Sequence, residues 1–83
     1  MIIITAGFGE LGEEGQRLQQ EVLDIAHRFS IRIIGPNCLG VARPSGFLNA
    51  TFGDGVIQDG NLALLSQSGA VCTAILDWAK SQD

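Results

Sequence analysis

Three short apolar runs divide the 83-residue chain, at positions 1–5, 31–34 and 62–65. Their apolar residues are not confined to alternate positions, which is typical of parallel strands that are buried on both faces. Between the first two runs, residues 13–29 place apolar side chains three and four positions apart, and this spacing predicts an amphipathic helix. Residues 70–79 predict a second helix in the same way. The pattern therefore indicates an α/β fold in which helices cover parallel strands.

Each predicted helix has an apolar stripe that we expect to pack on the strands. The stripe consists of Leu18, Val22, Ile25 and Phe29 in the first helix, and of Val71, Ala74, Ile75 and Trp78 in the second. A strand, a helix and a strand within about 35 residues match the length of a βαβ unit. The first two apolar runs and the helix between them are therefore predicted to form such a unit.

Residues 37–60 show neither the helical period nor the strand period, and they contain several glycines and a proline. A stretch of this length without predicted structure usually marks a functional segment or a boundary. We therefore expect three parts: residues 1–40 end one α/β domain, residues 41–59 form a linker, and residues 60–83 begin a second domain. Two helices cover three parallel strands poorly, so the chain is expected to be a piece of a larger protein.

Composition and charge exclude several classes of protein. Apolar residues make up 46% of the chain and charged residues 17%, which is unlike a disordered tail. Five basic and nine acidic residues give a net charge of −4, which argues against a nucleic acid or an anionic membrane as partner. The sequence shows no apolar run of roughly 18 residues and no signal peptide, so we expect the cytoplasm. Cys38 and Cys72 have no CxxC spacing, so neither a disulfide framework nor a metal site is expected.

The segment Ser66-Gln67-Ser68-Gly69 lies between an apolar run and the second predicted helix. Hydroxyls and free N–H groups at the start of a helix can bind a phosphate. The simpler alternative is that Ser66 or Ser68 only caps the helix. Ser68 also has small residues two positions before and after it, as in the nucleophile elbow of hydrolases. The histidine of a hydrolase of this type follows its serine, whereas His27 precedes Ser68 and is expected to be a solvated residue near a helix end.

The segment Gly35-Pro36-Asn37-Cys38 directly follows the second predicted strand. Ligands of open α/β sheets bind at the carboxyl ends of the strands, which makes this segment a candidate site. Asn37 can donate and accept hydrogen bonds, and Cys38 could lie beside a reacting thiol or acyl group. The alternative is a rigid turn that holds a buried, inert cysteine.

The loop after the first predicted strand is rich in glycine. Gly7, Gly9 and Gly12 match the G-x-G-x-x-G spacing of dinucleotide-binding loops, and the predicted helix follows directly. No acidic residue stands about 20 positions further on at a strand end, where such a loop has its ribose partner. A single match in a glycine-rich chain therefore favours an ordinary turn.

Five segments, taken in order, resemble the NDP-forming acyl-CoA synthetases, the superfamily that includes the α subunit of succinyl-CoA synthetase. The matching segments are Ile4–Glu10, Gly35–Gly40, Leu48–Phe52, Leu65–Gly69 and Ile75–Ala79. Leu39 and Gln67 stand where the succinate-type subunit has proline and arginine, which favours the ADP-forming acetyl/acyl-CoA synthetase branch. The synthetase-like half of bacterial protein lysine acetyltransferases belongs to the same branch.

The resemblance implies that a Rossmann-like CoA-binding domain ends near residue 40 and that a flavodoxin-like ligase domain starts near residue 60. It implies the conversion of an acid, CoA and ATP to acyl-CoA, ADP and phosphate through a phosphohistidine, with Mg accompanying the nucleotide. The residues that it places near CoA and the acyl group are Gly7, Glu10, Asn37 and Cys38. The residues that it assigns to phosphate binding are Ser66, Ser68 and Gly69.

The resemblance places no catalytic residue within these 83 positions, because the phosphorylated histidine is expected beyond Asp83. The chain alone is therefore expected to be inactive, and its expected partners are the remaining synthetase domains or a β-type ATP-grasp part within an oligomer. One alternative is a synthetase-like half that senses acyl-CoA without ligation and is fused to an acetyltransferase. Another is a free-standing phosphate-binding module. A downstream histidine would favour the ligase, and a downstream acetyltransferase domain would favour the sensor.

Overall fold

The computed structural model describes residues 1–82, which form two α-helices and a two-stranded sheet. The elements are α1 (Glu13–Arg28), β1 (Gly40–Arg43), β2 (Leu48–Thr51) and α2 (Gly69–Lys80). Short 3-10 helices occupy Gly9–Leu11 and Pro44–Gly46. Both predicted helices are confirmed to within one residue at each end, because their apolar spacing is a local property of the chain.

The first two apolar runs lie side by side and parallel, although they form a single bridge instead of a continuous ladder. Ile2 is the bridge partner of Ile34. The N–H of Ile3 donates to the carbonyl of Ile34, and the N–H of Ile34 donates to the carbonyl of Met1, both at 2.9 Å. The helix α1 connects the two runs, as expected of a βαβ unit, but the structure assigns no extended strand to either run.

A Schellman motif ends α1 and directs the chain into the second run. Ser30 takes a left-handed conformation with φ 54°. Its N–H donates to the carbonyl of His27 at 3.2 Å, and the N–H of Ile31 donates to the carbonyl of Ala26 at 2.8 Å. These bonds satisfy two carbonyl groups that the end of a helix would otherwise leave without partners. Acidic residues in the first turn of α1 and basic residues in its last turn complement the helix dipole.

The prediction that residues 37–60 lack regular structure was wrong, because this stretch contains an antiparallel hairpin. β1 and β2 pair from Gly40 opposite Thr51 to Arg43 opposite Leu48. The strands have four residues each. β1 shows no alternation of apolar and polar positions, and the alternation of β2 is too short to have identified a strand. A side chain at Gly40 would overlap the carbonyl of Ala50, so the close approach of the two strands requires glycine there.

The prediction of a third strand at residues 62–65 was also wrong. The structure assigns no strand to this run, and Leu62 and Leu65 are 95% and 99% exposed. A strand exists only where a neighbouring segment pairs with its N–H and carbonyl groups. No segment within residues 1–82 pairs with this run in a ladder or an isolated bridge.

The interior is thin, and it lies on the small residues of α1. Gly15 and Ala26 are buried there. The predicted stripe largely faces outward, since Leu18, Ile25 and Phe29 are 44%, 54% and 66% exposed. The stripe of α2 also faces outward, since Val71, Ile75 and Trp78 are 48%, 39% and 63% exposed. The buried-face prediction was therefore wrong for these six residues, which are exposed in the described part of the chain, whereas Val22 of the first stripe is half-buried.

Candidate functional site

The carboxyl ends of the two parallel runs meet at one edge of the molecule, which we call the carboxyl edge and define by residues 5–10 and 35–38. The N–H of Asn37 donates to the carbonyl of Thr5 at 2.9 Å, which joins the two segments. Gly7 and Glu10 stand two and five positions after Thr5, and Cys38 follows Asn37 directly. Four of the residues singled out in the sequence therefore lie on two adjacent segments. They meet because parallel strands end at the same edge of a sheet.

The turn after the second run is held closely against the first run. Gly35 has φ +93°, and a side chain there would overlap the carbonyl of Ile3. The Sγ of Cys38 donates to the same carbonyl at 3.4 Å, and Cys38 is half-buried. The backbone contact shows that Cys38 helps to hold the turn, as the structural alternative expected. Because Cys38 is half-buried, its thiol is only partly accessible to a ligand at the carboxyl edge.

Asn37 presents its side chain to solvent at the same turn. The residue is exposed and has a left-handed conformation with φ 52°. Asparagine tolerates this conformation better than most residues, which explains its presence in the turn. Its side-chain amide has no hydrogen-bond partner among residues 1–82, so it can both donate to and accept from a ligand.

The glycine-rich loop is closed on itself by the carboxylate of Glu10. The N–H of Gly7 donates a short hydrogen bond to its Oε1, and the N–H of Phe8 lies 3.2 Å and 3.3 Å from its two oxygens. The N–H of Gly9 donates to Oε1 of Gln19 at 3.1 Å. The loop therefore has no free N–H group from residue 7 to residue 9. It is not arranged to bind a pyrophosphate in the manner of a dinucleotide-binding loop.

These hydrogen bonds stabilise the ionised form of Glu10. The N–H of Gly7, with further contributions from the backbone of Glu10 itself and of Phe8, lowers the pKa of the carboxyl below its ordinary value of 4.5. A lowered pKa means that the contact is fully formed above that value and is lost as the pH falls through the lowered one. Near neutral pH the loop is therefore closed by a charged carboxylate.

Gln19 is a residue that the sequence analysis missed. It lies on α1 between the buried positions Gly15 and Ala26 and is itself half-buried. A side chain at Gly15 would overlap the carbonyl of Phe8, so the loop lies directly against the helix at this point. A polar residue on the packed face of a helix is the signal that could have identified Gln19, because such a residue needs a hydrogen-bond partner.

The segment Ser66–Gly69 forms the start of α2, and Ser68 is its N-cap. The Oγ of Ser68 accepts from the N–H of Val71 at 3.3 Å. The Oγ of Ser66 accepts from the N–H of Ser68 at 3.0 Å. The capping role considered from the sequence is therefore present. The N–H groups of Gly69 and Ala70 have no acceptor among residues 1–82, so the start of the helix still has donors available to an anion.

This turn is not joined to the carboxyl edge by any hydrogen bond within residues 1–82. At its other end α2 contacts the segment after the hairpin, since Nζ of Lys80 donates to the carbonyl of Asp54 at 3.0 Å and lies 3.3 Å from Asp77. The structure therefore brings Gly7, Glu10, Asn37 and Cys38 to one edge. It leaves Ser66, Ser68 and Gly69 as a separate candidate site.

Residues 1–82 contain no group of three or more histidine, cysteine, aspartate or glutamate side chains placed to hold a metal ion. None of their helices is both long enough and apolar enough to cross a membrane.

Comparison with curated proteins shows relatives over almost all of the chain. No protein-family model matches it. The α subunit of ADP-forming acetate–CoA ligase II from Pyrococcus furiosus is 53% identical over 76 residues, which are 92% of this chain and 16% of that protein. The ADP-forming 4-hydroxybutyrate–CoA ligase from Nitrosopumilus maritimus is 45% identical over 84 residues, 99% of this chain and 12% of that protein. The chain thus spans less than a fifth of the length of these relatives.

Solved structures share the fold as well as the sequence. A crystal structure of a protein from Pyrococcus horikoshii superposes with a TM-score of 0.92 at 50% identity, over 99% of this chain and 19% of that one. An acetyl-coenzyme A synthetase from Ca. Korarchaeum cryptofilum, solved with phosphate and ADP, superposes with a TM-score of 0.84 at 38% identity. This match covers 94% of the chain and 16% of the synthetase. The irregular segments and the hairpin thus belong to an arrangement found in much longer proteins.

Proposed function

Because this chain is homologous to one segment of the ADP-forming acetate– and acyl–CoA ligases, we propose that it is part of an ADP-forming acyl-CoA synthetase. The proposed reaction converts an acid, CoA and ATP to acyl-CoA, ADP and phosphate through a phosphohistidine that lies outside these 83 residues. The observation that carries the proposal is 53% identity to an acetate–CoA ligase subunit over 92% of the chain. The related fold of a synthetase that binds ADP and phosphate supports it independently.

We assign the carboxyl edge to the CoA-binding domain, proposed to end near residue 40, and Ser66–Gly69 to a ligase domain proposed to begin near residue 60. Residues 41–59, which include most of the hairpin, connect the two. These boundaries are supported by the different contacts of the two ends. Residues 1–38 are held by α1 and the parallel bridge, whereas α2 contacts the chain after the hairpin through Lys80.

The carboxyl edge fits the thiol end of CoA better than its phosphate end. CoA supplies the thiol that takes the acyl group when it is bound. Apart from its two neighbours in the chain, no residue has an atom within 4 Å of a Cβ built at Gly7. The exposed amide of Asn37 can donate to a carbonyl oxygen. Since Glu10 and Gln19 already occupy the N–H groups of Gly7, Phe8 and Gly9, we expect these donors to be unavailable to the phosphates.

Ser66, Ser68 and Gly69 are proposed to hold the phosphoryl group that ATP supplies. The N–H groups of Gly69 and Ala70 without acceptors support this role, because the start of a helix attracts an anion. No lysine or arginine stands between Arg43 and Lys80, so binding would depend on backbone N–H groups and hydroxyls. The remaining synthetase domains, or a β-type ATP-grasp part, are the proposed partners within an oligomer. Mg is expected with the nucleotide.

The test is the full-length protein that carries this segment, incubated with ATP, CoA and a panel of short acids. The proposal expects ADP and acyl-CoA to form in equal amounts, and a phosphohistidine to form from radiolabelled ATP. Acyl-CoA binding without ADP formation would contradict the ligase and support the sensing half of an acetyltransferase. Phosphate binding without any CoA dependence would support the free-standing module instead.

A further inference from the structure

Glu10 has an unusual set of partners for an exposed acidic residue. Its carboxylate accepts from the N–H groups of Gly7 and Phe8. It forms no ion pair within residues 1–82, where the two recorded pairs are Arg17 with Glu21 and Lys80 with Asp77. Its contacts are therefore directed at the backbone of the loop that precedes it, and not at a neighbouring cation.

The loop needs such an acceptor because its conformation points successive N–H groups to one side. Gly7 has φ +108°, in the region that favours glycine. Successive N–H groups that converge in this way make a concave site for an anion. In this chain the anion is the side chain three residues further on. Gln19 of α1 completes the arrangement by accepting from Gly9 at 3.1 Å.

We propose that Glu10 is the positioning residue of the carboxyl edge, holding the Gly7–Gly9 loop in the conformation that receives the thiol end of CoA. This inference rests on the proposed function and assigns Glu10 a role within it. Glu10 acts through the loop and not on the reacting atoms. Its carboxylate also keeps the N–H groups of Gly7 and Phe8 from binding a phosphate, which fits the direction in which we expect CoA to lie.

The experiment measures the dissociation constant for CoA by calorimetry in the full-length protein, and separately the KM for CoA. Glu10→Ala removes both acceptors, whereas Glu10→Gln retains one uncharged oxygen. The matched control is Glu14→Gln, which removes a charge from the first turn of α1, where the exposed side chain of Glu14 forms no hydrogen bond within residues 1–82. Circular dichroism checks that each variant is folded.

Losing two backbone hydrogen bonds to a carboxylate is expected to weaken CoA binding about tenfold in Glu10→Ala and about threefold in Glu10→Gln. The KM for CoA should rise by the same factor, while kcat and the KM for ATP stay within about twofold. The reason is that the variant loses an interaction that binds CoA equally well in the ground state and in the transition state. Added formate, which replaces the missing carboxylate, should partly restore CoA binding in Glu10→Ala and leave the wild type unchanged. A general loss of folding in the variant would not be repaired by formate in this way.

CoA binding in Glu10→Ala that equals the wild type would overturn the inference. If Glu10→Ala does not fold, the test uses Glu10→Gln alone. CoA binding in Glu10→Gln that equals the wild type would then overturn the inference. A wild-type protein that binds CoA without forming acyl-CoA would contradict the proposed function alone. Failure of the wild type to bind CoA at all would remove both the proposed site and the role of Glu10.

Discussion

Cys38 is held by the backbone of the neighbouring run, and this contact sets how its role can be tested. Its Sγ donates to the carbonyl of Ile3 at 3.4 Å, and the residue is half-buried. A serine can make the same hydrogen bond with a smaller atom, so the turn should survive the exchange. Any loss of activity in such a variant would then report on chemistry near the sulfur and not on the loss of the turn.

Cys38→Ser is expected to lower the CoA-dependent formation of acyl-CoA more than the formation of the phosphohistidine. The reason is that Cys38 lies at the carboxyl edge, whereas the proposed phosphate-binding residues Ser66, Ser68 and Gly69 lie at the start of α2, which no hydrogen bond within residues 1–82 joins to that edge. The two half-reactions are measured separately in the full-length protein, with Cys72→Ser on α2 as the control. An equal loss in both half-reactions would contradict the placement of Cys38 near the thiol chemistry.

Gly15→Ala is expected to lower the melting temperature of the full-length protein, although alanine normally favours a helix. The added methyl group would overlap the carbonyl of Phe8, and backbone cannot move aside cheaply. Overpacking of this kind costs about 1–3 kcal/mol. Gly60→Ala is the control, because a Cβ there meets no atom within 4 Å. A melting temperature for Gly15→Ala above that of the control would show that loop and helix are not in close contact.

The ends of the helices are determined by a few backbone contacts. The Schellman motif of α1 places Ser30 at φ 54°, a conformation that glycine adopts at no steric cost. The cap of α2 depends on one hydrogen bond from Val71 to Ser68 at 3.3 Å. Each end can therefore be altered by a single residue without touching the interior.

Ser30→Gly is expected to stabilise the protein by about 1 kcal/mol, the scale of the left-handed penalty for residues other than glycine. Ser30→Val should destabilise it, because a β-branched side chain tolerates this conformation worst. Thermal melting of the full-length protein measures both changes. Ser45→Gly, in the turn of the hairpin, is the control for the flexibility that glycine adds. A lower melting temperature for Ser30→Gly than for the control would contradict the Schellman interpretation.

Two variants of Ser68 separate its capping role from a phosphate-binding role. Ser68→Ala removes the cap, at a cost of about 1 kcal/mol, whereas Ser68→Asp retains a capping oxygen and places a charge that the helix dipole favours. We therefore expect the melting temperature to fall for alanine and not for aspartate. Phosphohistidine formation should rank the two variants the other way. Ser68→Ala should weaken it, and Ser68→Asp should nearly abolish it, because the carboxylate would fill the proposed anion site. Normal labelling of Ser68→Asp would leave Ser68 as a cap alone.

At the scale of the whole molecule, the uncovered apolar faces of both helices dominate. Phe29 and Trp78 are 66% and 63% exposed, and Leu62 and Leu65 are almost completely so. Among residues 1–82, Ala26 is the buried hydrophobic residue. An interior this small stabilises a fold weakly, and large apolar surfaces favour association. These faces fit a segment that spans less than a fifth of its relatives.

The isolated 83-residue chain is expected to melt at low temperature or to self-associate, as measured by sedimentation and thermal melting. Ile25→Glu should reduce the association without removing α1, because Ile25 is 54% exposed and does not pack in the interior. Ala26→Glu should unfold the chain, since Ala26 is 4% exposed. A monomer with a sharp transition above about 65 °C, the upper range for mesophile domains, would contradict this expectation.

The sequence by itself determined the two helices, the parallel relation of the first two runs and the position of Gly7 and Asn37 just after these runs. These features follow from periodicity and from turn residues, which act over a few positions. Only the tertiary structure decided that residues 62–65 form no strand, that residues 40–51 form a hairpin, and that the predicted helix stripes face outward. Strand pairing and burial depend on partners far away in the chain or outside it. For the same reason the contacts of Glu10 with Gly7 and of Gln19 with Gly9 were not visible in the sequence, because they require the loop to fold back onto α1.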